Sequence, residues 1–117
     1  MQEVSTPAEL MNLKPNLYLE VCRQIEKDFT LSGILIDWSV DIQPKDMWSE
    51  VLSKLNDLLK NEPEALRNLL YRVDLDEKSI SDALLENKQK DFLSELAKQL
   101  IAREIQKVLN RLNSNMG

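Results

Sequence analysis

The stretch KDFLSELAKQLIAREIQKVLNRLN, residues 90–113, carries apolar side chains at intervals of three and four residues. Such intervals place the apolar side chains on one face of a helix. The resulting stripe consists of Leu93, Leu96, Ala97, Leu100, Ile101, Ile105, Val108, Leu109 and Leu112. We therefore predict a long C-terminal helix over residues 90–113, against which the rest of the chain packs.

Shorter apolar stripes upstream predict further helices, and proline and glycine mark their ends. Pro44 and Pro63 each suit the first position of a helix, where a missing N–H costs nothing, and Gly33 suits a C-terminal cap. An N-terminal arm, residues 1–15, contains a helix start at Thr6-Pro7 and is ended by Pro15. The predicted helices after this arm lie near residues 17–31, 44–61, 63–73, 77–87 and 90–113.

Residues 33–43 are the one β-like stretch of the chain. Apolar residues alternate with polar ones from Ile34 to Ile42, although Leu35 breaks the alternation. A lone strand leaves its backbone groups unpaired. One interpretation is therefore an extended connector that packs across a helical core. The other is an edge that pairs with a second copy or with another protein.

The composition favours one all-α domain spanning residues 1–117. The length is close to the commonest domain size. Only two glycines occur, Gly33 and Gly117, whereas strands and tight hairpins depend on glycine for positive φ. We predict a bundle of about five helices with one extended segment near residues 34–43.

Most kinds of catalytic and metal chemistry lack their usual residues here. The chain has no histidine and a single cysteine, Cys22, for which we expect a buried position on a helix face. No nucleotide-binding, nucleophile-elbow or zinc-protease motif is present. We therefore predict a protein that is not an enzyme and uses no cofactor or metal.

The location of the protein is predicted from two further patterns. The N-terminus MQEVSTPAEL does not resemble a signal peptide. No window approaches the ~20 apolar residues of a membrane span. We expect a cytoplasmic protein without membrane contact.

The acidic stretch YRVDLDEKSISDAL, residues 71–84, raises the question of an ion site. A calcium loop starting at Asp74 would place Lys78 and Leu85 at ligand positions, which excludes it. As a helix-turn-helix its second helix would be too acidic for DNA. We predict instead that Asp74, paired with Glu77, or else Asp76, caps the following helix.

The C-terminal helix also carries the main basic feature. Arg103, Lys107 and Arg111 are spaced four apart and lie along one side. One interpretation is a solvated helix face with cations near its C-terminus. The other is contact with an acidic partner, either a protein or a nucleic acid bound together with Arg67 and Arg72. The net charge of −5 makes nucleic acid the less favoured partner.

Two tryptophans, Trp38 and Trp48, flank Pro44. They are expected to anchor the connector on the core, but tryptophan is also common in binding hot spots. The candidate partner-binding residues are thus Trp38, Trp48, Arg103, Lys107 and Arg111. We predict a non-catalytic intracellular protein that acts through protein–protein contacts, as an adaptor, a small regulator or an immunity-type inhibitor. The alternative is a nucleic-acid-binding regulator, and the wide stripe of the C-terminal helix also allows a homodimer.

Overall fold

The computed structural model describes residues 12–38, 42–75 and 77–116. Within these ranges the chain is all-helical and contains no strand, so the predicted fold class is confirmed. The described helices are α1 (Pro15–Leu31), α2 (Pro44–Asn61), α3 (Pro63–Arg72) and α4 (Glu77–Met116). None of the helices within the described ranges could span a membrane.

Three of the helices begin at a proline. Pro44 opens α2 and Pro63 opens α3, as predicted, because proline has the φ of a first helical residue and no N–H to leave unpaired. Pro15 likewise opens α1, two residues before the predicted start. The helix predicted to begin at Thr6 lies outside the described residues.

Gly33 ends α1 as the predicted C-terminal cap. Its φ is +83°, its N–H donates to the Thr30 carbonyl at 3.0 Å, and the Ile34 N–H donates to the Phe29 carbonyl at 2.9 Å. These two bonds form a Schellman motif, which satisfies carbonyls that the last helical turn leaves free. The motif turns the chain off α1 into the connector.

The connector has no strand in its described parts, 34–38 and 42–43. Ile34 and Ile36 are buried in the core, whereas Leu35, which breaks the alternation, is 78% exposed. The Tyr18 hydroxyl donates to the Ile42 carbonyl at 2.6 Å, which fastens the far end of the connector to α1. These contacts match the predicted extended connector; pairing of this segment with another chain stays a prediction.

A second Schellman motif ends α3, and it corrects the prediction for Asp74. Asp74 has a φ of 71°, its N–H donates to Tyr71 at 3.1 Å, and the Leu75 N–H donates to Leu70 at 2.9 Å. Asp74 therefore closes α3 and does not cap the next helix, which begins at Glu77. The alternative cap, Asp76, lies outside the described residues.

The two helices predicted over residues 77–87 and 90–113 are one helix, α4, of 40 residues. The two-helix prediction was wrong because the helix continues between Glu86 and Asp91, where the apolar stripe fades. The intervening residues are polar but include no glycine or proline. Lysine and glutamine are good helix formers, so the backbone hydrogen bonds continue without an apolar face.

The core forms where α4 packs against α1 and α2, while α3 packs against α2 and α1. Cys22 is buried there as expected, and Trp38 and Trp48 are half-buried against it. The largest fully buried apolar side chains are Ile25, Phe29, Met47, Leu55, Leu69, Leu96, Leu100 and Ile101. The apolar stripe of α4 is thus covered by neighbouring helices along most of its length, although Leu112 remains 38% exposed.

Candidate functional site

The three predicted basic residues of α4 all pair with acids of the same chain. Arg103 donates to Asp74 Oδ2 at 2.7 Å and Lys107 Nζ to Asp28 Oδ2 at 2.8 Å. Arg111 donates to Glu20 Oε1 at 3.0 Å. A partner would have to displace these acids, and contact of Arg103, Lys107 and Arg111 with a partner stays a prediction.

Two of these pairs belong to a line of polar contacts that joins α1 to α4, which we call the polar ladder. Its α1 side is formed by Glu20, Gln24 and Asp28, and its α4 side by Glu104, Lys107 and Arg111. Residues four apart on α1 lie one turn above another, so these side chains form a single row. The Arg111 Nη1 donates to Gln24 Oε1 at 2.8 Å and Gln24 Nε2 to Asp28 Oδ2 at 3.2 Å, which makes the row continuous.

Glu104 is the buried end of the ladder. Its side chain is fully buried, and neither carboxyl oxygen accepts a hydrogen bond from a described residue. Burial raises the pKa of Glu104 to about 9, and the adjacent Asp28 contributes in the same direction. Removing a carboxylate from water disfavours its charged form, so Glu104 is neutral at pH 7.

The neighbouring carboxyl, Asp28, behaves in the opposite way. Burial by itself would raise the pKa of Asp28, but hydrogen bonds from Glu104, Lys107 and Gln24 outweigh it and hold the pKa below its ordinary value. A hydrogen bond between two carboxyls requires a proton on one of them. A direct hydrogen bond between Asp28 and Glu104 would thus need the proton to lie on Glu104, whose pKa is the raised one.

A different kind of surface lies on the outer side of α3. Arg67, Asn68, Tyr71 and Arg72 are all exposed, and their spacing places them on one side of the helix. Tyr71 is 85% exposed. Within the described part of the chain, neither arginine forms an ion pair. We call these four residues, together with Leu31 of α1, the α3 face.

The α3 face contains a shallow depression of about 370 Å³. It lies where the end of α1 meets α3, and its lining is formed by Leu31, Ser32, Asn68, Tyr71 and Arg72. The Ser32 hydroxyl is buried without a partner among the described residues. The depression thus combines apolar side chains, an unused hydroxyl and a guanidinium.

Trp38 and Trp48 do not line this depression. Both are half-buried and pack against the core, as anchoring would require. Leu35, close to Trp38 in sequence, is exposed. A role of either tryptophan in binding a partner stays a prediction.

Glu104, Asp28 and Tyr71 were not identified from the sequence, although each left a signal there. Glu104 lies four residues after Leu100 and four before Val108, which places a charge inside the apolar stripe. Asp28 lies three residues after Ile25, so it too is a charged residue on the apolar face of its helix. Tyr71 is an aromatic residue outside the stripe of α3, beside Arg72.

Neither a metal-binding cluster nor a similar protein indicates a ligand for the described part of the chain. Within the described residues, histidine, cysteine and acidic side chains form no group of three or more that could hold a metal ion. No family model matches the chain, and neither a curated protein nor a solved structure matches it. The α3 face and the polar ladder are therefore the features from which a function can be inferred.

Proposed function

We propose that the protein is a non-catalytic binding module that docks an acidic segment of a partner protein on the α3 face. The observation that supports this is the state of the arginines. Arg23, Arg103 and Arg111 each pair with an acid of the chain. The remaining two, Arg67 and Arg72, have no acid partner among the described residues and flank an exposed tyrosine.

Tyrosine and arginine are the residue types that dominate binding hot spots, together with tryptophan. Tyr71 offers a large, stiff apolar ring with a polar tip, and Leu31, 54% exposed, adds apolar area beside it. Exposing both side chains to water is unfavourable compared with covering them. A partner side chain of leucine size would enter the depression and cover them.

The two arginines define the polar part of the partner. A guanidinium binds a carboxylate through two parallel hydrogen bonds, so carboxylates on either side of the apolar residue fit Arg67 and Arg72. The net charge of −5 opposes an acidic partner at long range. At physiological salt, charges beyond ~8 Å are screened, so the local arginines set the attraction.

The rival function, a nucleic-acid-binding regulator, has less support. It relied on Arg103, Lys107 and Arg111, whose charges are balanced by acids within the chain. Phosphates would have to compete with Asp74, Asp28 and Glu20 for these bases. Two arginines alone are a weak electrostatic footprint for nucleic acid.

The test is a fluorescence-anisotropy titration with three labelled probes. These are a peptide in which leucine is flanked by glutamates, its lysine counterpart, and a short single-stranded oligonucleotide. Saturable binding of the acidic peptide alone supports the proposal. In Arg67→Glu/Arg72→Glu this binding should weaken at least ~10-fold, which is ~1.4 kcal/mol.

A matched control is Lys45→Glu/Lys60→Glu on α2, which makes the same charge change at two exposed positions away from the α3 face. This variant should bind the acidic peptide like the wild type. Two results would count against the proposal: no binding of the acidic peptide, or oligonucleotide binding that Arg103→Glu/Lys107→Glu abolishes. The second result would favour the rival function.

A further inference from the structure

Glu104 is buried, and no base among the described residues is hydrogen-bonded to its carboxyl group. Among the described residues, the Lys107 ammonium is the one base within 4.0 Å of Glu104, and it lies 4.0 Å from Glu104 Oε1 but 2.8 Å from Asp28 Oδ2. One ammonium thus faces two carboxyls and is hydrogen-bonded to only one of them. An unpaired buried carboxylate is strongly unfavourable.

Among the described residues, the other packed elements do not supply the missing charge. The buried residues of α2 and α3 are all apolar, and α3 contributes only the Arg72 carbonyl, which accepts from Lys107 at 3.4 Å. From α1, the polar groups nearby are Asp28 and Gln24. On α4 itself, Arg103 is already paired with Asp74. A proton on Glu104 balances the cluster.

We propose that Glu104 and Asp28 share one proton, and that this proton latches α1 to α4 so that loss of the proton loosens the contact between the two helices. With the proton in place, Glu104 donates to Asp28 and the Asp28 carboxylate accepts from Lys107. Without it, two negative charges adjoin in a site from which water is excluded, and like charges there repel strongly. The strain is relieved when the two helices separate far enough to admit water.

This latch differs from the surface ion pairs of the same helix. Asp74 and Glu20 are exposed enough to be solvated whether or not they are paired, so ionic changes there have small effects. Asp28 and Glu104 are buried and are not solvated. Their protonation state therefore controls the packing of α1 on α4. The proposal does not rest on the docking proposed for the α3 face.

A direct test follows the Glu104 carboxyl carbon by NMR in protein labelled with 13C-glutamate. The resonance should report a protonated carboxyl at pH 7 and titrate only under alkaline conditions, near pH 9. Titration at the ordinary glutamate value of 4.5 would overturn the proposal. Assignment comes from the one resonance missing in Glu104→Gln.

A second test asks whether the proton holds the helices together. Glutamine is uncharged at every pH and its amide can donate to Asp28. In Glu104→Gln the contact between α1 and α4 should therefore not loosen as the pH rises. Amide exchange in residues 20–28 is compared between wild type and variant at each pH. The wild-type rate relative to the variant rate should rise with pH above the ordinary glutamate value and should be at least ~10-fold larger at pH 9 than at pH 6, where a tenfold change corresponds to one pKa unit of interaction.

The matched control is Glu95→Gln, which changes a half-exposed glutamate of the same helix that pairs with Lys98. Its exchange should follow the wild type at both pH values. Equal exchange in wild type and Glu104→Gln at pH 9 would overturn the latch. If Glu104→Gln does not fold, the carboxyl titration is repeated with assignment by through-bond correlation in the wild type, and its midpoint decides.

Discussion

Asp74 adopts at the end of α3 the left-handed backbone conformation that Gly33 adopts at the end of α1. Both residues complete a Schellman motif, but an L side chain in this region crowds its own carbonyl. Aspartate is among the few residues that tolerate it. The Asp74 carboxylate also pairs with Arg103, but it is 79% exposed, so the pair contributes little.

The conformation at Asp74 predicts the stability of two variants relative to the wild type. Asp74→Gly should match or exceed the wild type by up to ~1 kcal/mol, since glycine has no preference against positive φ. Asp74→Ala should lose ~1 kcal/mol, because alanine has neither the freedom of glycine nor the short polar side chain that makes positive φ tolerable for aspartate. Urea denaturation measures both. A result in which Ala equals Gly would contradict the argument.

Gly33→Ala serves as a control for the Asp74 series. An added Cβ at Gly33 meets nothing within 4 Å, so any loss of stability there reflects the backbone alone. We expect ~1 kcal/mol. A loss of similar size at the two alanine variants would show that backbone conformation, and not the Arg103 pair, sets the effect at Asp74.

We expect the contribution of each ion pair in the polar ladder to the free energy of unfolding to depend on how deeply the acid is buried. Asp28 and Glu20 both pair with bases of α4, but the Asp28 side chain is buried and the Glu20 side chain is partly exposed. Asp28→Ala removes the acceptor of Lys107 and Gln24 and should cost ~3 kcal/mol. Glu20→Ala should cost less than ~1 kcal/mol. Similar values in urea denaturation would contradict this prediction.

At this scale the sequence revealed residue types but not their partners. The four-residue spacing of Arg103, Lys107 and Arg111 was visible, yet their acids lie 29, 79 and 91 positions away. Spacing along one helix does not predict which side chains of another helix it will meet. Whether Arg103, Lys107 and Arg111 bind a partner or pair within the chain therefore could not be derived from their spacing.

Among the elements, those with strong end signals were predicted best. The bounds of α2, 44–61, were predicted correctly because proline opens it and a second proline follows its end. The Gly33 cap set the end of α1. The length of α4 was missed because apolar periodicity reports which face is buried and does not report where a helix ends.

The continuity of α4 predicts a large effect of proline between its two apolar parts. Gln89 lies where two separate helices were expected to meet, and a proline there would have been tolerated in a connecting loop. In a continuous helix it removes a hydrogen bond and clashes with the preceding turn, which costs ~3 kcal/mol. Gln89→Ala is the control and should be neutral or slightly stabilising. Thermal unfolding monitored by circular dichroism measures both; an unchanged proline variant would contradict a continuous helix.

At the scale of the whole molecule, the shared proton changes the charge of the protein. The formal net charge of −5 counts Glu104 as ionised, so the folded protein at pH 7 is one unit less negative. The same cluster touches the α3 face at one point, where Lys107 donates to the Arg72 carbonyl at 3.4 Å. One direct contact thus joins the latch and the proposed docking surface.

The pH dependence of global stability follows from these two carboxyls. Glu104 has a pKa near 9 when folded and 4.5 ordinarily, so between these values the unfolded chain binds fewer protons. The free energy of unfolding should therefore fall as the pH rises through this window, by up to ~1.4 kcal/mol per pH unit. Asp28 acts at the other end: its pKa lies below the ordinary 3.8, so its stabilisation is present above that value and is lost as the pH falls through the folded pKa.

Glu104→Gln separates these two effects. It removes the loss of unfolding free energy that Glu104 causes as the pH rises, and it leaves the loss that Asp28 causes at acid pH. Urea denaturation of the wild type at intervals from pH 5 to pH 9 should give a falling unfolding free energy, and Glu104→Gln should give a nearly level one over the same range. Below pH 4 the two proteins should lose stability together, since Asp28 is unchanged. A wild type as level as the variant between pH 5 and pH 9 would mean that Glu104 is ionised in the folded protein, and that the buried carboxyls find their balancing charge in some way other than a proton.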